Sequence, residues 1–190
     1  GLLCTLRRYQ EWGVKYILHQ ERVLLGDEMG LGKTVQAIAT MVSLKNTGAT
    51  HFVVVCPASV LTNWCREIVK HSKLSVIKIH GNLRLSALKD WIKRGGVAVT
   101  TYETTKYFAL DENFHHTLTV VDEAHYIKNP EAQRTKNTLA LCSHSPRLLF
   151  MTGTALENNV EEMITLISYL QPNIARAVNR IAFMSSAPQF

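Results

Sequence analysis

The run Asp27-Glu28-Met29-Gly30-Leu31-Gly32-Lys33-Thr34 has the residue types that can hold a phosphate chain. Gly30 and Gly32 allow a tight loop whose backbone N–H groups converge on anionic oxygens. A helical pattern through Val35, Ile38, Ala39 and Val42 opens at Lys33, so a partial positive charge would sit behind those phosphates. Lys33 can reach the outer phosphates, and Thr34 offers a hydroxyl to Mg²⁺. The apolar stretch Val23-Leu24-Leu25 before the loop supplies the strand such a loop requires. Asp27 stands where the strict loop pattern has a glycine, so a plain glycine turn with a surface lysine is the alternative for this segment alone.

A second chemical cluster lies further along the chain. Leu118-Thr119-Val120-Val121 reads as a short buried strand, followed at once by Asp122-Glu123-Ala124-His125. Adjacent carboxylates pack poorly, because burying them unpaired is costly. At the carboxyl end of a strand they suit a hard cation and a water molecule: Asp122 as the Mg²⁺ ligand, Glu123 as the group that orients or deprotonates water. The competing reading is an acidic turn that caps a helix.

These two clusters need a scaffold, and the chain alternates helix and strand throughout. Helices are expected over about Leu6–His19, Lys33–Lys45, Val60–His71, Leu83–Lys93, Ala132–Leu141 and Asn158–Leu170, with a short one over Tyr102–Phe108. Strands are expected over Val23–Gly26, His51–Cys56, Ser75–Ile79, Val97–Thr100, Leu118–Asp122 and Arg147–Met151. Such alternation predicts an α/β fold, a mostly parallel sheet with helices on both faces in three layers. The segment Asn173–Met184 looks helical.

Composition narrows the setting. The chain has 190 residues, 46% of them apolar, enough for one domain with a substantial core. No apolar run approaches the ~20 residues of a membrane span, and the N-terminus lacks a signal-peptide layout. Gly1 in place of a starting Met points to a segment of a longer protein. Cys4, Cys56, Cys65 and Cys142 form no metal-binding spacing and read as reduced thiols in an intracellular protein. His115 and His116 read as solvated loop residues. Trp64 and Trp91 could stack on bases, but their helical spacing favours the core. A net charge of +6 favours a polyanionic partner, although Lys and Arg are scattered rather than blocked together.

Taken together, Asp27 to Thr34 and Asp122 to His125 resemble motifs I and II of superfamily 2 helicases and translocases. With Val35-Gln36 after the loop and Tyr126-Ile127-Lys128-Asn129-Pro130 after the carboxylates, the match resembles the Swi/Snf-type DNA translocase branch. Further segments follow in the family's order. Leu6-Arg7-Arg8-Tyr9-Gln10 is similar to its adenine-reading segment, and Val53 to Leu61 with Asn63-Trp64 to motif Ia. Val97 to Glu103 is similar to motif Ib, and Met151 to Asn158 to motif III. Arg8 and Ala155 stand where the family commonly has proline; neither change removes a catalytic group.

The resemblance implies an N-terminal RecA-like P-loop NTPase lobe over residues 1–172, with 173–190 beginning a helical insertion toward a second RecA-like lobe. It implies ATP and Mg²⁺ as cofactors, bound by Gln10 at the adenine and by Asp27, Glu28, Met29, Gly30, Leu31, Gly32, Lys33 and Thr34 around the phosphates. Lys33, Asp122 and Glu123 would be the catalytic residues, with Thr34 and Asp122 on Mg²⁺. His125, Thr152 and Thr154 would couple nucleotide state to lobe closure, or serve only as hydrogen-bonding residues at the sheet edge. The partner would be double-stranded DNA, gripped by its backbone through Ser59, Thr100, Thr101 and Lys128. No membrane, and no small-molecule substrate besides ATP, is expected. The implied function is a DNA-stimulated ATPase that translocates on duplex DNA, with an isolated lobe nearly inactive. A strand-separating helicase, or a nucleotide-gated binding module without catalysis, are the alternatives. The expected location is intracellular: nuclear in a eukaryote, cytoplasmic in a bacterium, with a compact lobe favouring the bacterial case.

Overall fold

The computed structural model describes residues 1–26, 32–153 and 159–170. Its elements run α1 (Arg8–His19), β1 (Arg22–Leu25), α2 (Lys33–Asn46), β2 (His51–Cys56), α3 (Leu61–His71) and β3 (Val76–Ile79). They continue with α4 (Arg84–Arg94), β4 (Gly96–Thr101), β5 (Leu118–Val121), α5 (Gln133–Cys142), β6 (Arg147–Met151) and α6 (Val160–Leu170). The expected short helix over Tyr102–Phe108 is instead a 3₁₀ turn, Thr104–Tyr107. The segment Asn173–Met184 and the insertion proposed for 173–190 lie outside the described residues.

The six strands form one sheet in the order β1-β6-β5-β2-β4-β3, and every pairing is parallel. Successive side chains of a strand point to opposite faces, and both faces here are apolar. In β2, Phe52, Val54 and Cys56 join Ile38 and Met41 of α2 and Trp64 and Ile68 of α3. Val53 and Val55 join Leu88 and Trp91 of α4, Leu141 of α5 and Leu166 of α6 on the other face. The result is the expected three-layer arrangement. The valine-rich runs of β2 and β5 follow directly from burial on both faces.

A parallel sheet places all its strand ends on one rim. Because β6 lies between β1 and β5, the chain leaves β1 at Gly26, β6 at Thr152 and β5 at Asp122 side by side. Next to them, β2 leads into α3, and β4 ends at Thr101. The opposite rim holds an aromatic and histidine cluster and corrects one expectation. His115 is exposed, but His116 is only 1% exposed. The His116 ring packs edge-on to Trp91 with its Nε2 2.7 Å from Thr119 Oγ1. Burial, helped by neighbouring histidines, pushes its pKa down to about 3. Trp64 and Trp91 are both core residues, at 2% and 0% exposure. All four cysteines are free thiols.

Candidate active site

The loop enters α2 at Gly32, whose φ of +95° is a left-handed conformation that glycine adopts at little cost. A Cβ there would lie 1.9 Å from Gln10 Nε2, so Gly32 also provides the space in which Gln10 sits. Gln10 is 8% exposed, and its Oε1 accepts the Arg7 N–H at 2.9 Å. The side chain expected to read adenine therefore flanks the end of the loop while helping to cap α1. Lys33 and Thr34 occupy the first turn of α2, where the helix N-terminus favours anions. Asp27, Glu28, Met29, Gly30 and Leu31 lie outside the described residues, as does Thr154.

Lys33 crosses to the neighbouring strand end, its Nζ donating to the Thr152 carbonyl at 2.8 Å. Thr152 is fully buried, and its N–H donates to the Leu25 carbonyl at 3.0 Å. Residues at the ends of β1 and β6 are thereby tied to the loop's lysine.

At the end of β5, the Asp122 carboxylate is fixed by two donors. Oδ2 accepts the indole N–H of Trp64 at 2.8 Å, and Oδ1 accepts the Glu123 N–H at 3.0 Å. Burial raises the pKa of Asp122, and the Glu123 charge adds to this; the two hydrogen bonds and nearby Lys33 oppose it. Glu123 is, among the described residues, the one non-glycine with positive φ, at +55°. Backbone strain of this kind clusters at functional sites, where surrounding structure must hold it. Here the Tyr102 hydroxyl donates to the Asp122 carbonyl and lies 3.2 Å from that of Glu123. Tyr102 is 1% exposed and stacks on Tyr126, with ring centroids 5.1 Å apart.

The left-handed turn aims the Glu123 side chain toward β6. A Cβ on Gly153 would lie 2.9 Å from Glu123 Oε1, so the carboxylate rests where only glycine leaves room. His125 Nε2 stands 4.0 Å from Glu123 Oε2. His125 Nδ1 is buried without a hydrogen-bond partner. The fold thus brings together Lys33, Thr34, Asp122, Glu123, His125 and Thr152 from α2, β5 and β6. A half-buried, oriented carboxylate opposite a lysine at a helix N-terminus fits a Mg²⁺–nucleotide pair. Among the described residues no group of three or more His, Cys, Asp and Glu could hold a metal alone. Asp122 and Thr34 are the side chains here that could contribute to holding such an ion.

The nucleic-acid side is different. Ser59 is exposed on the 3₁₀ turn Ala58–Val60 that feeds α3, and Lys128 is exposed after the turn Ala124–Ile127. Thr100 and Thr101 correct the expectation of hydroxyl contacts to DNA. Both are 0% exposed. Thr100 Oγ1 donates to the Ile79 carbonyl, and Thr101 Oγ1 pairs with Thr104 Oγ1 at 2.8 Å. They stand at the end of β4, where the last residues of the strand are still covered.

Three residues at the site were not assigned there from sequence: Trp64, Tyr102 and Gly153. The one available signal was an aromatic residue with a polar handle inside each of two motif segments.

A P-loop at the end of β1 and an acidic pair at the end of β5, on a parallel three-layer sheet, define a RecA-like nucleotide-binding lobe. The comparisons give its family. The SNF2-related domain matches residues 9–186, and the chain belongs to that family. It is 35% identical to the ATP-dependent helicase FUN30 of Saccharomyces cerevisiae, over 90% of this chain and 16% of the yeast protein. It is 38% identical to the chromodomain-helicase-DNA-binding protein 1-like of Danio rerio, over 89% of this chain and 17% of that protein. Among solved structures, the Sulfolobus solfataricus SWI2/SNF2 ATPase core in complex with dsDNA matches with a TM-score of 0.79 and 30% identity. That match covers 91% of this chain and 37% of the other. The chain thus spans a minor part of each of these proteins. The Saccharomyces and Danio relatives are eukaryotic, so the bacterial preference finds no support in them. Among the described residues no helix is long and apolar enough to cross a membrane.

Proposed function

We propose that this chain is the ATP-binding lobe of a DNA-stimulated ATPase that translocates on double-stranded DNA and remodels protein–DNA complexes. The observation that carries the reading is the convergence of Lys33, Asp122 and Glu123 on one rim of the sheet, with the Glu123 backbone held in a left-handed turn. Lys33 would turn its ammonium group, which has three donors, to nucleotide phosphate. Asp122 and Thr34 would hold Mg²⁺, which neutralises charge on the phosphates. Glu123 would orient the attacking water and accept its proton. Gln10 would turn its side-chain amide to the adenine edge, offering both donor and acceptor.

The DNA backbone would lie across the neighbouring rim, against the N-terminal end of α3 with Ser59 and near Lys128. Backbone contacts carry no base information, so movement along any sequence follows, with strong salt dependence. A second RecA-like lobe would supply arginine to the transition state, an effect worth about 10³ to 10⁵ in rate. The lobe alone should therefore hydrolyse ATP barely. In a eukaryotic cell the protein would work in the nucleus.

The test is ATP turnover with and without duplex DNA, for this chain and for the full-length protein, alongside a strand-displacement assay. DNA-stimulated turnover confined to the full-length protein, without strand separation, is the expected result. Robust DNA-stimulated turnover by the lobe alone would overturn the two-lobe account, and unwinding would favour the helicase alternative.

A further inference from the structure

The two segments that flank the carboxylate pair, α3 and the end of β4, each send it one buried aromatic donor. From α3, Trp64 holds the side chain of Asp122 at 2.8 Å. From the end of β4, Tyr102 holds the main chain at the Asp122 and Glu123 carbonyls. Both rings are closed off from solvent, at 2% and 1% exposure. At position 102 phenylalanine would fill the same space without bringing a donor, and at position 64 a bicyclic ring without the N–H would do so. An indole N–H is a fixed donor with one direction, and it meets one chosen oxygen of Asp122. The other oxygen is fixed by Glu123 N–H, so the carboxylate has a single orientation.

We infer that Trp64 and Tyr102 are positioning residues with separate tasks: Trp64 sets the Asp122 carboxylate for Mg²⁺, and Tyr102 sets the left-handed turn that aims Glu123. The inference rests on the function proposed above. It goes further by linking each half of the acidic pair to a different neighbouring segment, Asp122 to α3 and Glu123 to the end of β4. Trp64 is about one turn into α3, whose entry carries Ser59, so a shift of that helix reaches the Asp122 carboxylate through one hydrogen bond. Tyr102 gives β4 the corresponding hold on Glu123.

The two tasks separate experimentally. In the full-length protein, binding of a fluorescent ADP analogue is measured across a Mg²⁺ titration and again in EDTA, for Trp64→Phe and Tyr102→Phe. Loss of one hydrogen bond to a charged group should raise the Mg²⁺ concentration for half-maximal binding about tenfold in Trp64→Phe. Its binding in EDTA should be unchanged. Tyr102→Phe should keep the wild-type Mg²⁺ dependence and instead lower kcat about tenfold at unchanged KM. If Phe at position 64 impairs folding, 3-benzothienylalanine at that position keeps the bicyclic shape and exchanges only N–H for sulfur; the same Mg²⁺ shift is expected. Wild-type Mg²⁺ dependence in both Trp64 replacements, or equal changes in every parameter for the Trp64 and Tyr102 variants, overturns the inference. No Mg²⁺-dependent nucleotide binding by the wild type would overturn the proposed function instead.

Discussion

Gly153→Ala should separate catalysis from stability. Gly153 is exposed and has no positive φ, so its backbone accepts alanine without strain. The new methyl would stand 2.9 Å from Glu123 Oε1 and 3.6 Å from its Cδ. Ordinary contact begins at 3.4 Å, so the carboxylate must retreat by about 0.5 Å or swing to another rotamer. The far end of a glutamate moves easily, so the stability cost should stay within about 0.5 kcal/mol. Catalysis is less forgiving: a misplacement of about 1 Å can cost about 100-fold in rate. The expected loss in kcat is about 10- to 100-fold, or ~1.4–2.7 kcal/mol in the barrier, with nucleotide affinity little changed. DNA-stimulated ATPase kinetics on the full-length protein, with a thermal melt on the same sample, measure both quantities. A kcat within twofold of wild type would refute the claim that the Glu123 carboxylate works from its seat against Gly153. An equal drop in melting temperature and rate would refute the separation of the two effects.

Glu123→Gln should reduce turnover by at least about 100-fold while Mg²⁺–ATP binding persists, because the amide keeps the shape and loses the base; calorimetry beside a phosphate-release assay checks this. Lys33→Ala should instead weaken nucleotide binding itself, and unchanged affinity would exclude the lysine from the phosphate site. His116 gives a pH test. Its folded pKa of about 3 lies below the ordinary 6.5, so below about pH 6.5 the unfolded chain binds a proton that the folded one refuses. Stability is therefore full above that pH and falls by about 1.4 kcal/mol per pH unit as pH drops toward 3. His116→Gln should flatten that slope by about one proton in denaturant titrations between pH 6 and 4. On the DNA side, Lys128→Ala should lower the salt dependence of duplex binding by about one ion. Thr100→Val should leave DNA affinity unchanged and act on stability alone.

The fold was legible because its signals are redundant. Val53-Val54-Val55 and Val120-Val121 could only be strands covered on both faces, and helical spacing filled the intervals between them. The acidic pair and the loop lysine were legible for a different reason: charge at the end of an apolar run is costly unless it has work to do. What the chain did not disclose is what depends on one-residue differences in depth. Thr100 and Thr101 end a strand but remain under the surface, while His116, one residue after exposed His115, is sealed by Trp91. Gly153 lies in a motif segment with no role of its own assigned, because that role depends on a carboxylate arriving from another strand. Long-range partnerships such as Trp64 with Asp122 leave no local pattern to read.

The bond from Lys33 to the Thr152 carbonyl ties the ammonium group to the end of β6. An ammonium carries three donors, so it can keep that bond while turning another N–H to a phosphate. The same strand end runs on into Gly153, the seat of the Glu123 carboxylate. A phosphate drawn to the lysine would thereby pull, within a single residue, on the group proposed to handle the water.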